Sequence, residues 1–392
     1  MPNAILTAAI DALASGRDLS ADQSTEVLAT IMHGDASEVE IAGFLIALRT
    51  KGETVAELAG LARAMRQLAA HVPVQRDGLL DTAGTGGGRR TFNVSTTAAL
   101  IAAGAGCAVA KHGNRSATSL SGSADLLEAL GAQISLTPDA VARCIEDAGF
   151  GFMFAPAHHR ATRFVVPVRR ELAVRTVFNL LGPLTNPAGA RRQLIGVSDP
   201  SALPTIAGAL AQLGTERALV VAGADGIDEV SISAPTTVVE VNGEEIRSYT
   251  IDPPAVGVAP QLDGDDDDAP LRGGTPAQNA ALTRAILDGA PGPATELAAI
   301  NAGAAIYAAG ATASIAEGVQ AAREALAGGA AAEALERYVR ASVRHAAPGG
   351  GATGGPVAAS AAARNAVAGG GAPGGGATGG GPTGRAPGGA SR

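Results

Sequence analysis

The sequence has no tryptophan, and aromatic residues account for only 3% of its 392 positions. A large core is still possible because 46% of the residues are hydrophobic, but it must be built from Ala, Leu, Val and Ile. Cysteine is almost absent too, since Cys107 and Cys144 are the only two and both stand in apolar segments. This scarcity excludes a disulfide framework and favours buried thiols in a reducing compartment.

The chain also lacks an excess of positive charge, because its formal net charge at pH 7 is −8. Net acidity argues against general binding to nucleic acids or to membrane surfaces. The N-terminal segment has neither the basic start nor the apolar run of a signal peptide. No uninterrupted apolar stretch reaches the length of a membrane span. Together these absences predict a soluble cytoplasmic protein with no nucleic-acid or membrane partner.

The first part of the chain has the pattern of a helical domain. Apolar residues recur at helical spacing within residues 1–70. Ser20 with Gln23, and Thr54 with Glu57, fit the capping boxes that begin helices. We therefore assign residues 1–70 to an N-terminal helical domain.

From about Leu79 the pattern changes to short β-type runs that alternate with alanine-rich helices, which is typical of an α/β domain. The clearest strand-like runs are Cys107–Ala110, Ala218–Ala222 and Thr237–Val241. We assign residues 75–345 to this domain. The predicted fold class is therefore α/β, with a small N-terminal all-helical domain and a larger α/β domain around a central, mostly parallel sheet.

Two segments have compositions that predict no regular structure. Gly264–Asp268 contains four consecutive aspartates, and we interpret it as a solvated surface loop, because successive residues cannot all converge on one ion. Residues 346–392 are almost entirely Gly, Ala, Pro, Thr and Ser. Such a composition cannot bury enough apolar surface to offset the entropy of ordering. We expect a disordered tail that is dispensable for chemistry.

A glycine-rich turn is the first feature that suggests a ligand. Its sequence, Gly84-Thr85-Gly86-Gly87-Gly88, permits positive φ angles and close approach of backbone amides to an anion. Asn93, Ser95 and Thr96 follow near the start of a predicted helix, whose N-terminus favours negative charge. The turn matches neither the P-loop nor the dinucleotide fingerprint. A flexible turn with Ser95 or Thr96 as an ordinary helix cap is the alternative.

A cationic turn, Lys111-His112-Gly113-Asn114-Arg115, comes about two dozen residues later. Lys111 follows the strand-like run Cys107–Ala110, so we expect it at the carboxyl end of a strand, where open α/β sheets bind ligands. The hydroxyl-rich segment from Ser116 to Ser123 suits phosphate oxygens, although Ser123 also fits a helix cap in a plain surface loop. Together the two turns predict a pocket for a polyphosphorylated small molecule, which favours an enzyme over a scaffold.

Five separated motifs resemble those of the anthranilate phosphoribosyltransferases. They are Asp81–Gly87, Asn93–Thr96, Lys111–Arg115 with Ser121–Asp125, Asn179–Pro187, and Asp225–Glu229. The resemblance runs from the N-terminal helices to about Tyr338. It implies transfer of the 5-phosphoribosyl group from phosphoribosyl pyrophosphate to the amine of anthranilate, which gives N-(5-phosphoribosyl)anthranilate and pyrophosphate in tryptophan biosynthesis.

The same resemblance implies an architecture. The fold is expected to be like that of nucleoside phosphorylases and phosphoribosyltransferases, with the active site in the cleft between the two domains. Later helices, at about residues 162–188, are expected to join the helical domain. A homodimer through that domain is also implied.

By resemblance, the donor phosphoribosyl pyrophosphate is bound by Gly84, Thr85, Gly86, Gly87, Asn93, Ser95, Thr96, Lys111 and Ser119. Asp228 and Glu229 are implied to hold Mg²⁺ directly or through water, with Ser95 as a further ligand. Adjacent carboxylates suit Mg²⁺, a hard ion that keeps several waters. A solvated acidic turn is the alternative interpretation of this pair.

The implied anthranilate site consists of Gly84, His112, Asn114, His159, Arg169 and Pro183. A guanidinium can bind a carboxylate through two hydrogen bonds, so Arg169 is expected to meet the acid group of anthranilate, unless it pairs with Glu171 on the surface. No catalytic acid or base is evident. We expect Lys111, Asn114 and Arg169 to act by positioning, because the aniline nitrogen can attack as oxocarbenium character develops and lose its proton afterwards.

The chain departs from the family pattern at two places. Gly88 stands where an acidic residue is frequent, and the stretch from there to Asn93 is one residue shorter and contains Arg89 and Arg90. Arg160 stands where a proline often follows the preceding histidine.

Two other functions are considered beside the transferase. The first is a pyrimidine nucleoside phosphorylase-like enzyme, which also places a lysine and serines at phosphate. The second is a non-catalytic relative that binds nucleic acid. The His-Gly-Asn sequence after Lys111 and the rigid run Gly182–Pro187 favour the transferase over the first. Net acidity and the Asp228–Glu229 pair argue against the second.

Overall fold

The structure is a computed structural model, and it describes residues 1–116, 119–259 and 269–346. The predicted acidic loop at Gly264–Asp268 and residues 347–392 of the predicted tail lie outside the described residues. Within the described part, no helix is both long enough and apolar enough to cross a membrane.

Four helices form the N-terminal part, and they are α1 (Ala4–Ala14), α2 (Ala21–His33), α3 (Glu38–Lys51) and α4 (Val55–Leu68). The two predicted capping boxes are confirmed, because Ser20 pairs with Gln23 and Thr54 with Glu57. A third capping box at the start of α3 was not predicted. Reciprocal bonds of this kind satisfy amides that a helix start leaves unpaired.

The next segment alternates strands and helices. Its elements are β1 (Leu80–Gly84), α5 (Val94–Gly104), β2 (Val109–Gly113), α6 (Ser123–Ala129), α7 (Pro138–Ala148), β3 (Phe150–Phe154), α8 (Ala155–His158), α9 (Val166–Leu172), α10 (Phe178–Leu181), β4 (Arg192–Gly196), α11 (Leu203–Gln212) and β5 (Arg217–Gly223). The remaining elements are β6 (Thr236–Asn242), β7 (Glu245–Ile251), α12 (Pro276–Leu287), α13 (Pro293–Ala308), α14 (Ile315–Ala327) and α15 (Ala330–His345).

Within the described part of the chain, seven strands form one sheet in the order β3-β2-β1-β4-β5-β6-β7. The first five strands in this order are mutually parallel, whereas β6 and β7 extend one edge with antiparallel pairing. The predicted fold class is therefore confirmed: a helical N-terminal part and an α/β domain around a mostly parallel sheet.

Strand β5 shows how the sheet separates two cores. Ala218, Val220 and Ala222 belong to the core shared with α1–α4, α9 and α11, whereas Leu219 and Val221 face the core under α5, α7 and α13–α15. This alternation is the period of two that a strand buried on both faces imposes. One face of the sheet thus shares its core with the helical part, and α9 packs on α3 while α10 packs on α4.

Both cysteines are buried and unpaired, as the sequence predicted. Burial raises the pKa of the Cys107 thiol to about 11, and that of Cys144 to about 12. Neither thiol is therefore ionised at neutral pH, which removes both from the set of reactive groups.

Two predicted element boundaries are wrong in ways that concern the site. The strand placed at Cys107–Ala110 is β2, which begins later and contains Lys111 and His112, because its pairing with β3 continues as far as Gly113 opposite Phe154. These polar residues still stand at the carboxyl end of a parallel strand.

The helix expected near Thr96 is α5, and it begins earlier, at Val94. Asn93 occupies the N-cap, so Ser95 and Thr96 lie inside the first turn and are not the caps considered from sequence. Ser123 is not a cap either, because Gly122 holds that position in α6.

Candidate active site

Lys111 is a buried cation at the carboxyl end of β2, with only 1% of its surface exposed. Its Nζ donates to the carbonyl of Thr82 at 2.6 Å and to the Thr82 hydroxyl at 3.2 Å, and it lies 3.5 Å from Ser95 Oγ. Burial lowers the pKa of Lys111 to about 8, although the carboxylates of Asp81 and Glu229 oppose the shift. The lysine therefore joins β1, β2 and the first turn of α5 at one point.

Asp81 and Asn186 form a buried support beneath this lysine. One carboxylate oxygen of Asp81 accepts the amide of His112 at 3.1 Å, and the other accepts Asn186 Nδ2 at 2.8 Å. The same Nδ2 donates to the carbonyl of Ala110 at 2.8 Å. Asn186 thereby ties the Gly182–Pro187 turn to both β1 and β2. Burial raises the pKa of Asp81, and the charge of Lys111 opposes that shift. Sequence reasoning quoted both residues within motifs but assigned them no role.

The glycine turn Gly84–Gly88 contacts Asp228, the first residue of the acidic pair Asp228–Glu229. The amide of Gly86 donates to Asp228 Oδ2 at 3.0 Å. A Cβ on Gly84 would lie 2.9 Å from the same oxygen, so a larger residue there would crowd the carboxylate. Thr85 is buried, and its hydroxyl accepts the amide of Ser198 at 3.3 Å. The loop thus approaches Asp228 closely because it contains glycine, and the Thr85 side chain turns toward β4.

Asp228 and Glu229 have the properties expected of a cation site. Burial raises the pKa of Asp228. Burial and the neighbouring Asp228 charge raise the pKa of Glu229 well above its ordinary value, against Lys111 and a hydrogen bond from the Ser95 backbone. Glu229 is buried and Asp228 is half-buried. A divalent cation would relieve the cost of placing these two carboxylates next to each other, so the residues fit Mg²⁺. Among the described residues, no cluster of three or more His, Cys, Asp or Glu side chains that could hold a metal ion is present.

Asn301 of α13 holds the chain directly after this acidic pair. It accepts the amide of Val230 at 2.8 Å and donates to the carbonyls of Val230 and Leu297, both at 2.9 Å. Asn301 is fully buried. It thereby fixes the backbone next to Glu229. Sequence reasoning missed it, and the available signal was a lone amide within an apolar, alanine-rich helix.

A second amide network joins the turns that precede α5 and α6. Asn93 Nδ2 donates to the carbonyl of Ser121 at 3.0 Å, and Asn93 Oδ1 accepts Asn279 Nδ2 at 2.7 Å. Asn279, on α12, was not among the predicted residues. Thr96 is buried, and its hydroxyl has no partner within the described part of the chain. Ser119 is exposed, and its hydroxyl lies 2.6 Å from that of Ser116.

The cationic turn itself contributes less than the sequence suggested. Arg115 is the last residue of that turn, and its guanidinium is 2.8 Å from Asp125 Oδ1 and 2.9 Å from Glu128 Oε1. It therefore fixes the loop to α6. Asn114 is exposed, and its side-chain oxygen accepts the amide of Arg115 at 2.7 Å.

Two buried histidines lie side by side at the predicted acceptor site. The ring centroids of His112 and His159 are 5.0 Å apart. His112 Nδ1 lies 3.2 Å from the carbonyl of Gly182, next to the buried Pro183. Neither Nε2 has a partner among the described residues. Burial lowers the pKa of His159 to about 4 and that of His112 well below its ordinary value, so both imidazoles are neutral at pH 7.

Arg169 is half-buried on α9, and the structure gives it no carboxylate partner within residues 1–116, 119–259 and 269–346. Its Nη2 is 3.4 Å from Asn179 Oδ1, and its guanidinium lies over the Phe178 ring at 5.3 Å. The alternative pairing with Glu171 is therefore not observed. Burial lowers the pKa of Arg169, because no anion offsets the cost. Such a guanidinium is suited to an anionic ligand.

Comparison with known proteins agrees with this geometry. Residues 7–69 match the helical bundle domain of the glycosyl transferase family, and residues 76–332 match its a/b domain. The anthranilate phosphoribosyltransferase of Rubrobacter xylanophilus is 52% identical over 348 residues, which is 88% of this chain and 100% of the relative. That of Symbiobacterium thermophilum is 49% identical, over 83% of this chain and 94% of the relative.

Solved structures give the same result. The crystal structure of anthranilate phosphoribosyltransferase from Thermus thermophilus superposes with a TM-score of 0.80 at 47% identity, over 86% of this chain and 99% of that one. The Saccharomyces cerevisiae enzyme in complex with PRPP and Mg gives 0.78 at 27% identity, over 87% and 99%. The chain belongs to the glycosyl transferase family that combines a helical bundle with an a/b domain, and within that family to the anthranilate phosphoribosyltransferases.

Proposed function

We propose that this protein transfers the 5-phosphoribosyl group of phosphoribosyl pyrophosphate to the amine of anthranilate and releases pyrophosphate. The observation that carries the proposal is the meeting of the glycine turn, Lys111 and the Asp228–Glu229 pair at one edge of the sheet. It supplies a buried cation, backbone amides and a cation-binding carboxylate pair for one highly charged donor. The family relationship supports the same reaction.

The donor half of the site acts by binding charge. Lys111 carries the positive charge that faces the leaving diphosphate, and its bonds to Thr82 hold it in place. Asp228 and Glu229, with Ser95 nearby, would hold Mg²⁺. The ion would neutralise the negative charge that develops on the departing pyrophosphate. The turn Gly84–Gly87, the hydroxyls of Ser95, Thr96 and Ser119, and Asn93 complete the proposed donor site. Thr96 fits because its buried hydroxyl has no hydrogen-bond partner among the described residues and could therefore bond to the donor.

The acceptor half acts by orientation. Arg169 binds the carboxylate of anthranilate, and Gly84, His112, Asn114, His159 and Pro183 line the ring. The lowered pKa values of His112 and His159 make these imidazoles weak bases at neutral pH. Proton removal therefore follows attack of the amine, and alignment of the amine with the anomeric carbon provides most of the rate enhancement.

A turnover assay tests the reaction. Anthranilate fluorescence should fall when phosphoribosyl pyrophosphate and Mg²⁺ are both present, stop falling on addition of excess chelator, and resume when Mg²⁺ is restored. Phosphorolysis of thymidine or uridine without this activity would favour the nucleoside phosphorylase instead. A salt-dependent gel shift with single-stranded DNA and no turnover would favour a binding protein.

Replacement of Arg169 by alanine should raise the KM for anthranilate by about tenfold or more, since a charged, bidentate hydrogen bond contributes about 1.5–3 kcal/mol. Donor KM should change little. Arg170→Ala is the matched control, because Arg170 is the exposed neighbour on the same helix. Steady-state kinetics with each substrate varied in turn measures both. An unaltered anthranilate KM in the Arg169 variant would refute its assigned role.

We also propose that the protein is a homodimer associated through the helical part. Val39 and Ile46 on α3 and Val166 on α9 are exposed apolar side chains, and Val39 is 82% exposed. Helix α9 packs on α3, so the three residues belong to two helices that are in contact. Exposed apolar side chains of this kind are typical of interaction surfaces. Light scattering should give twice the mass of the chain, and Val39→Glu combined with Ile46→Glu should give a folded monomer. A monomeric wild type would contradict the proposal.

A further inference from the structure

Arg175 is an exposed residue between α9 and α10 that reaches the glycine turn. Its Nη1 donates to the carbonyl of Gly86 at 2.7 Å. The hydroxyl of Ser198, which follows β4, donates to the same carbonyl at 2.9 Å. One peptide oxygen is therefore held by two side chains from different parts of the chain. Neither residue belongs to the predicted donor or acceptor sites.

This peptide needs an external restraint because glycine stands on both sides of it. Gly86 has φ +63° and Gly87 has φ +92°, and neither carries a Cβ that would resist rotation. A trans peptide is planar, so its carbonyl and its N–H point in opposite directions. With the carbonyl of Gly86 held by Arg175 and Ser198, the N–H of Gly87 must face away from them. The amide of Gly86 meanwhile points at Asp228.

We propose that Arg175 and Ser198 are positioning residues of the donor site, which clamp the Gly86 carbonyl outward so that this peptide presents its N–H, and not its oxygen, to the phosphate groups. The inference rests on the proposed function. A flipped peptide would place a partial negative charge against the donor's phosphates and weaken its binding.

The packing around Arg175 supports this role independently. A Cβ built on Gly87 would collide with the guanidinium, so the arginine lies directly on the loop. Helix α9 ends just before it in a left-handed turn at Ala173, whose φ of +51° is the single positive value among the non-glycine residues of the described chain. The amide of Thr176, just after it, donates to Asn179 Oδ1 at 3.0 Å. Arg175 thus projects from a constrained connection.

The same connection carries the acceptor arginine. Asn179 Oδ1 also receives Arg169 Nη2 at 3.4 Å, and the amide of Ala173 donates to the carbonyl of Arg169 at 3.1 Å. One short stretch of chain therefore supports Arg169 at the acceptor site and Arg175 at the donor turn. Arg175 therefore projects from the same connection that supports the proposed anthranilate site.

The experiment compares Arg175→Ala, Ser198→Ala and Arg175→Lys with wild type, each at saturating Mg²⁺. Arg175→Ala should raise the KM for phosphoribosyl pyrophosphate about tenfold, and Ser198→Ala about threefold, as expected for a charged and a neutral hydrogen bond. Arg175→Lys should restore part of the loss. The KM for anthranilate should stay near the wild-type value. Arg191→Ala is the matched control, because Arg191 donates to the carbonyl of Gly214, a contact on the surface beside β4 and β5.

The possible outcomes distinguish the proposed positioning role of Arg175 and Ser198 from other roles. An unchanged donor KM in either the Arg175→Ala or the Ser198→Ala variant overturns the proposal. An effect of Arg175→Ala without an effect of Ser198→Ala assigns the arginine to direct phosphate contact, and so also overturns it. A donor KM raised equally by Arg191→Ala shows a nonspecific charge effect and overturns it too. If the wild-type protein shows no turnover, the proposed function itself is refuted. That result differs from one in which the wild type is active and only the proposed role of Arg175 and Ser198 is refuted.

Discussion

Replacing Lys111 with methionine lowers kcat/KM for phosphoribosyl pyrophosphate by about a thousandfold, since removal of a buried charge that faces an anionic ligand costs about 4 kcal/mol. Methionine preserves the length and most of the volume of the side chain, so the packing between β1 and β2 is kept. The bonds to Thr82 and the counter-charge to Asp81 and Glu229 are lost. Steady-state kinetics with the donor varied measures the effect.

The control for this variant separates loss of binding from loss of folding. Removal of one member of a buried charged group leaves the remaining carboxylates uncompensated, so some destabilisation is expected. Circular dichroism and a thermal melt should still show a cooperative folded state. A folded Lys111→Met variant with wild-type donor kinetics would contradict the assigned role.

The pH dependence supplies a second test of the same lysine. Because the pKa of Lys111 is lowered to about 8, the side chain is charged below that pH and neutral above it. In wild type, kcat/KM for the donor should therefore fall as the pH rises through about 8, since this ratio reports the ionisation of the free enzyme. The decline should be absent in Lys111→Met. A wild-type profile that stays flat across the pKa of Lys111 would contradict this prediction.

The sequence was sufficient for the fold class and for the motifs of the site, because both depend on local patterns. Alternation of strands and alanine-rich helices indicates a parallel sheet, and glycine, lysine and paired carboxylates each have a recognisable chemistry. The end of β2 was predicted less well. Lys111 and His112 are polar, so apolar periodicity could not extend the strand over them, whereas pairing with β3 does.

The supporting residues could not be predicted for a different reason. Asn301 acts on Val230, and Arg175 acts on Gly86, in each case across a separation of about 70 to 90 positions in the chain. Arg115 stands in the cationic turn that the sequence associates with a ligand, but its partners are Asp125 and Glu128. Tertiary packing decides which hydrogen-bonding side chain meets which partner, and a single sequence does not show these pairings directly.

Asp228→Asn should abolish most activity and yet make the ligand-free protein more stable. Burial raises the pKa of Asp228, so its ionised form is less favourable in the folded state than in the unfolded chain. That cost begins as the pH rises above the unfolded-state pKa, and it is therefore present at pH 7. Asparagine removes the charge, relieves the repulsion that raises the pKa of Glu229, and keeps an oxygen for the amide of Gly86.

The expected result for Asp228→Asn is a loss of kcat/KM for the donor of about a hundredfold or more, together with a higher thermal midpoint without Mg²⁺. Calorimetry should also show that Mg²⁺ with phosphoribosyl pyrophosphate raises the midpoint of wild type but not of the variant, because only a protein that binds the pair is stabilised by it. Asp147→Asn is the matched control, since Asp147 lies on α7 and pairs with Arg344 and His345 at the surface. If Asp228→Asn lost activity and stability together, the carboxylate would be a structural support, and its assignment to the metal would have to be withdrawn.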